Sequence, residues 1–272
     1  MISFPNCKIN IGLNIVGKRT DGFHNIETVF YPLSLCDALE VLPAPDNAGD
    51  QFILYGMEME DDQEQNLCMK ALRLIQKEIA VQPLKIVLMK KIPVGAGLGG
   101  GSSDAAYTLK MVNTFSSAGY SDDQLIEMSS KLGSDCAFFI LNKPVFASGK
   151  GDQMTPVSLS LAGYTIVVVK PPVFVSTAEA YSGTTPSVPE RSLKELIQLP
   201  VAEWCDVIKN DFEETIFLHH PEIEAIKQKM YDMGAVYASM SGSGSSVFGI
   251  FSKSLNAPKA FPGCFYHEEK VK

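Results

Sequence analysis

The sequence predicts an α+β protein of two domains, and three observations carry that reading. Ile9, Ile11, Leu13 and Ile15 alternate with Lys8, Asn10 and Asn14, the period-two pattern of a strand. Helical spacing, as at Leu67, Ala71, Leu74 and Ile75, interrupts such runs rather than replacing them. Near residue 160 the character changes to one strand, then helices, then two apolar strands, which divides residues 1–160 from 161–272. A chain of 272 residues is comfortable for two such domains.

The elements follow in order. After the strand at 9–15, IETVFYPL, ALEVL, QFILY and LKIVLMKKI read as strands, with a helix over 66–79 between the last two. PVGAGLGGGSSDAA, residues 93–106, then places five glycines in a loop. Ser102 or Ser103 is expected to cap the helix that follows, which carries Ala105, Ala106, Leu109, Met111 and Val112. Ser121-Asp122-Asp123-Gln124 is a capping box for a second helix, which stops at Gly133. YTIVVV is a buried strand. Helices are expected over 192–199, 201–218 and 221–233, and strands AVYASM and SVFGIF flank the loop SGSGS.

Composition excludes several classes of function. Hydrophobic residues make up 46% and charged residues 20%, so the chain can build a substantial core. The net charge of −8 without a Lys/Arg cluster argues against nucleic acid and against anionic membrane surfaces. MISFPNCKINIG lacks the charged-then-apolar layout of a signal peptide, and YTIVVVKPPVFV is too short and too broken to span a bilayer. Six cysteines lie far apart with no C-x-x-C pair, so reduced thiols in a cytoplasmic protein are expected, with no disulfide framework. The four histidines show no metal spacing, since HHPEIE is not H-E-x-x-H. No protein-ligated metal is expected.

The glycine loop raises the question of function. Gly95, Gly97 and Gly100 satisfy G-x-G-x-x-G, but a dinucleotide fold wants that motif after its first strand, with an acidic residue closing a later one. A Walker A loop would need a lysine where Gly101 stands. Two readings remain: backbone N–H groups cradling a phosphate at a helix start, or a close-packed turn. SGSGSS at 241–246 is a hairpin turn or a second part of the same site.

Three side chains stay open in the same way. Lys8 is a snorkelling edge-strand lysine or a buried catalytic cation. Asp135, after Gly133-Ser134 and before the apolar CAFFIL, is an N-cap or a base. Phe23, in the turn RTDGFHNIET, reads as an aromatic tucked into the core, unless the turn is itself part of a site.

Taken in order, Asn6-x-Lys8-x-Asn10, D-G-F-H, P-x-G-x-G-L-G-G-G-S-S-D-A-A, G-S-D near 135 and S-G-S-G-S near 243 resemble one family. That is the GHMP superfamily of small-molecule kinases, and the match runs from Pro5 to about Phe251. KINIGLNIVGKRTDGFHNIETVF is similar to the branch that acts on a cytidylyl sugar alcohol in the non-mevalonate isoprenoid pathway. Phe23 stands where tyrosine is usual there, and G-S-D-C-A replaces the commoner G-A-D-V-P.

The resemblance implies an N-terminal ribosomal-protein-S5-like domain, a C-terminal ferredoxin-like domain, and transfer of the ATP γ-phosphoryl group to a hydroxyl. It implies Asp135 as the base and Lys8 beside it, stabilising the developing alkoxide. Pro93, Val94, Gly95, Ala96, Gly97, Leu98, Gly99, Gly100, Gly101, Ser102 and Ser103 would wrap the ATP phosphates, and Asn66 and Lys90 would hold the adenosine. Asn10, Phe23, His24, Tyr181, Gly242, Ser243 and Gly244 would bind the alcohol substrate, with Phe23 and Tyr181 sandwiching cytosine. Mg²⁺ would arrive with the nucleotide. Such an enzyme would be a monomer or homodimer. Two alternatives stay open: a kinase for homoserine or mevalonate, or a ligand-binding relative without catalysis.

Overall fold

The structure, a computed structural model, describes residues 1–57 and 63–272. Strands β1 (Ile2–Ser3), β2 (Asn6–Lys18), β3 (His24–Cys36), β4 (Ala38–Pro43) and β5 (Gln51–Gly56) lead to helix α1 (Leu67–Gln76) and strand β6 (Leu84–Lys90). Helices α2 (Gly100–Phe115), α3 (Asp122–Ser130) and α4 (Cys136–Leu141) follow, then β7 (Val145–Ser148), β8 (Gln153–Pro156) and β9 (Thr165–Lys170). The remainder is α5 (Thr177–Ser182), α6 (Leu193–Leu196), α7 (Trp204–Val207), α8 (Phe212–His219) and α9 (Pro221–Asp232), then β10 (Tyr237–Met240), β11 (Val247–Phe251) and β12 (Phe265–Lys270). The α+β class expected from the alternating runs is what the chain adopts.

Two compact units interleave along the sequence. The first comprises Met1–Lys8, Pro32–Val94 and Gly99–Lys143, and the second comprises Ile9–Tyr31, Gly95–Leu98 and Pro144–Lys272. In the first, a sheet runs β1-β4-β6-β5, with β5 parallel to β6 and the other pairs antiparallel. Ile86 and Leu88 of β6, Leu72 and Ile75 of α1, and Leu109 and Val112 of α2 are buried there. Each such side chain stabilises the fold by roughly 1.5–3 kcal/mol relative to exposure. Asn66 caps α1 by accepting the Cys68 N–H at 2.9 Å. The predicted capping box at Ser121 and Gln124 is present on α3.

In the second unit, β10-β11-β9-β12 is an antiparallel sheet, so SGSGSS joins two hairpin strands. The sheet β2-β3-β7-β8 carries the long alternating strands. Val167 and Val169 of β9 share one apolar cluster with Ile223, Ile226 and Met230 of α9.

Two expectations fail. The helix predicted over 201–218 is broken, because residues 208–211 pair with β2 instead. The Leu13 N–H donates to the Lys209 carbonyl, the Asp211 N–H donates to the Leu13 carbonyl, and Asn210 Nδ2 donates to the carbonyls of Met240 and Gly242. Neither Ser102 nor Ser103 caps α2. The N-cap is Gly99, in left-handed backbone at φ 70°, and both serines lie inside the first turn. Among the described residues, no helix is long and apolar enough to cross a membrane.

Candidate active site

The glycine loop ends where α2 begins, and that start has no side-chain cap. A helix start leaves up to four backbone N–H groups without intrahelical partners. Here the Ser103 N–H already donates to the Gly99 carbonyl, at 2.9 Å. Ser103 Oγ is buried with no hydrogen-bond partner among the described residues. An uncapped helix start with an orphaned hydroxyl fits an anion with several acceptor oxygens.

Beside this start lie the two candidates for chemistry. Lys8 Nζ and Asp135 Oδ2 are 3.3 Å apart, with side chains 4% and 29% exposed. Burial removes the snorkelling reading of Lys8. Asp135 does occupy the N-cap position of α4, as that reading required, but at φ −80° and ψ −14° its side chain makes no capping bond. Its carboxylate turns to Lys8. A Cβ at Gly99 would stand 3.1 Å from Lys8 Cε and 2.9 Å from the Phe139 ring, so the lysine packs directly under the helix start. Burial pushes the neighbouring Cys136 thiol up to about 11. It stays neutral beside Asp135.

A second lysine in this unit was expected near adenosine. Lys90 lies between two carboxylates, bonded to Asp37 Oδ2 and at 2.8 Å from Asp104 Oδ2. Burial opposes its charge, but the Asp104 and Asp37 carboxylates outweigh that and raise its pKa. Burial lifts the Asp104 carboxyl above the ordinary range; Lys90 works against that shift and Asp37 adds to it. Asn66 is buried at the start of α1, its Oδ1 taken by the cap. Sequence reasoning gave no role to Asp37 or Asp104. A lone acid between apolar strands, as in LCDALEV, was the available signal.

The second unit gathers another group. Ser241 Oγ donates to the Gly97 carbonyl at 2.8 Å, and the Ser246 N–H donates to the Ala96 carbonyl at 3.3 Å. The two small-residue loops thus touch directly. Gly97, at φ 71°, has no room for a Cβ against the Ser241 carbonyl, so close packing contributes to the glycine content. The Asn10 N–H donates to Ser241 Oγ at 3.1 Å, and Asn10 Nδ2 donates to Thr28 Oγ1 at 3.0 Å. A Cβ at Gly242 would meet Asn10 Oδ1 at 3.1 Å, while one at Gly244 would meet Met240 Sδ at 2.7 Å. Ser243, between them, is half-buried.

The aromatic candidates separate. Tyr181 stacks on His24, with ring centres 4.6 Å apart and planes 15° apart, and Phe212 meets Tyr181 edge-on at 4.8 Å. Phe23 is 58% exposed, with Lys150 Nζ 5.0 Å from its ring centre. It is no core anchor. Of the remaining loop residues, Pro93, Ala96 and Leu98 are buried and Val94 is exposed; Gly101 and Ser102 are half-buried. Among the described residues no three His, Cys, Asp or Glu side chains form a group that could hold a metal.

Comparison with known proteins gives the family. Residues 66–143 match the family described as GHMP kinases N terminal domain, and residues 186–261 match GHMP kinases C terminal. The chain is similar to a 4-diphosphocytidyl-2-C-methyl-D-erythritol kinase of Parabacteroides distasonis, 52% identical over the whole of both chains. It is also similar to one of Bacteroides thetaiotaomicron, 53% identical over 95% of each. Among solved structures it resembles a crystal structure of 4-(cytidine 5'-diphospho)-2C-methyl-D-erythritol kinase, with 28% identity, a TM-score of 0.79 and 98% of both chains covered. The chain therefore belongs to the GHMP kinases and, within them, to the 4-diphosphocytidyl-2-C-methyl-D-erythritol kinase family.

Proposed function

We infer that this chain phosphorylates the 2-hydroxyl of 4-diphosphocytidyl-2-C-methyl-D-erythritol with ATP, a step of non-mevalonate isoprenoid-precursor synthesis. The observation that carries the reading is the Lys8–Asp135 contact at 3.3 Å beside the uncapped start of α2, in a chain half identical to kinases of that name.

Phosphoryl transfer asks for positioning and charge compensation more than for covalent chemistry. Asp135 Oδ2 accepts the hydroxyl proton as the oxygen attacks, and the Lys8 ammonium stabilises the alkoxide that develops. Residues 93–103 hold the phosphates through backbone N–H groups, with the Ser103 hydroxyl as a further donor. Mg²⁺, which the nucleotide would carry in, would supply further charge compensation for the phosphates. Asn66 and Lys90 serve the adenosine side, Lys90 through the loop that it anchors. Asn10 and Gly242, Ser243 and Gly244 line the acceptor. Phe23 and Tyr181 stack on cytosine, while the backbone at His24 pairs with the base edge.

ADP release measured across the cytidylyl alcohol, its uridylyl analogue, homoserine and mevalonate tests the assignment. Turnover is expected on the first substrate. The uridylyl analogue presents donor and acceptor reversed at N3 and at position 4, so it should be rejected by about 10⁴-fold. Turnover on homoserine or mevalonate without the cytidylyl alcohol would redirect the assignment, and ADP from none of them would leave a binding protein.

A further inference from the structure

We propose that Asp37, Lys90 and Asp104 form a buried ionic clip that fixes the two ends of the glycine-rich loop, making both aspartates positioning residues for ATP binding. The proposal rests on the kinase reading above. Lys90 closes β6 just before the loop, Asp37 lies between β3 and β4, and Asp104 opens the second turn of α2. Their side chains are at most 3% exposed.

Each carboxylate secures a different end. Asp37 Oδ1 accepts the N–H groups of Lys91 at 2.5 Å and Ile92 at 2.8 Å, the two residues leading into Pro93. Its Oδ2 takes the Lys90 ammonium, whose other bond runs to Asp104 Oδ2 on the far side of the loop. A Cβ at Gly100 would stand 2.9 Å from both Lys90 Nζ and Ile92 Cγ2. Entry and exit of the loop are thus fastened through one ammonium. Between them run the residues whose N–H groups are to meet phosphate.

Stability alone does not account for the cluster. Two carboxylates face one ammonium out of water, and Asp104 Oδ1 is buried with no hydrogen-bond partner among the described residues. Apolar side chains of similar volume commonly fill such a space with equal or better stability. They could not orient the Lys91 and Ile92 amides or tether the α2 turn. Preorganisation of phosphate donors is what the ions add.

Asp37→Asn and Asp104→Asn test the clip, because each keeps side-chain size and removes the carboxyl group. ATP affinity is measured by calorimetry on the folded fraction of the full-length protein, with no alcohol present. Amide exchange is followed over residues 91–103 and over β9 as an internal reference. The expected result is an ATP Kd raised about ten-fold or more, with faster exchange at 91–103 and unchanged protection in β9. Either folded variant suffices if the other fails to fold. Unchanged ATP affinity with unchanged exchange at 91–103 overturns the clip, as does a uniform rise in exchange that includes β9. If the unaltered protein binds no ATP, the kinase reading itself fails, and exchange at 91–103 still decides whether the clip holds the loop.

Discussion

Two lysine–aspartate clusters in one unit of this protein are built to opposite specifications. Lys8 and Asp135 make a single loose contact at 3.3 Å, and the carboxylate side chain is 29% exposed. Lys90 holds two carboxylates, both sealed from solvent, and Asp37 also binds two backbone N–H groups. The first pair leaves an oxygen face open to a reactant, while the second spends its bonds on the protein. The same residue types are proposed to serve chemistry where the carboxylate stays partly exposed and to serve shape where the carboxylates are sealed.

That contrast is sharpest in turnover. Asp135→Asn should lower kcat by about 10²–10⁴-fold, the usual contribution of a general base, while ATP affinity stays within a few-fold. Melting temperature should barely move, since the carboxylate caps nothing. A loss of less than ten-fold in steady-state kcat would return Asp135 to a structural role and erase the distinction between the clusters.

Lys8→Met should also cut kcat by more than ten-fold, and should shift melting temperature more than Asp135→Asn does, because this side chain is buried. Lys8→Arg is the informative partner. A guanidinium is planar and broader than an ammonium, and Lys8 Cε already lies under Gly99, so arginine should not restore turnover. Rescue by arginine in the same ADP-release assay would mean that bulk positive charge suffices.

How much of this contrast was legible in the sequence depends on the range of the forces. The alternation at 9–15 and the Ser121–Gln124 box are local, and both appear as expected. The break at 208–211 was hidden because Asn210 finds its partners at Met240 and Gly242. Strands β7, β8 and β12 escaped notice, being short or polar: QMTP and FYHEEK carry little apolar alternation. Lys8 and Asp135 were singled out by motif order, but their contact spans 127 positions of chain and only the fold shows it. Asp104 was visible inside the glycine motif and remained without a role until Lys90 was seen beside it.

The open side of the contrast extends to Phe23. Its exposure predicts that Phe23→Ala leaves melting temperature nearly unchanged, whereas a core phenylalanine costs about 3–5 kcal/mol. Loss of base stacking, worth roughly 1–3 kcal/mol, should raise KM for the cytidylyl alcohol about ten- to hundred-fold. Preference for cytosine over uracil should survive, since the pairing proposed to set it lies with the His24 backbone and not with the Phe23 ring. KM and melting temperature measured on one sample decide the matter: an unchanged KM would remove Phe23 from the substrate site.

The smallest expected effect belongs to the sealed cluster, and it lies in the pH dependence of stability. Burial raises the folded-state pKa of Asp104 above its ordinary value, with Lys90 opposing and Asp37 reinforcing the shift. A raised folded pKa means that the native state binds the proton more tightly than the unfolded chain does. The corresponding stability is present at low pH and is lost as pH rises through the raised value. Lys90, whose own pKa is raised, stays charged throughout and adds no slope near neutrality. Asparagine at 104 does not titrate. Over about pH 5–8, above the ordinary carboxyl range, the melting temperature of the unaltered protein should therefore fall relative to Asp104→Asn, by a few degrees at this chain length. The difference between the two curves cancels the carboxylates they share and isolates the cluster. A flat difference would mean that Asp104 is comfortable as an anion and that the clip costs nothing to bury. A rising one, together with weakened ATP binding by the same variant, would show stability given up in return for a loop held ready for phosphate.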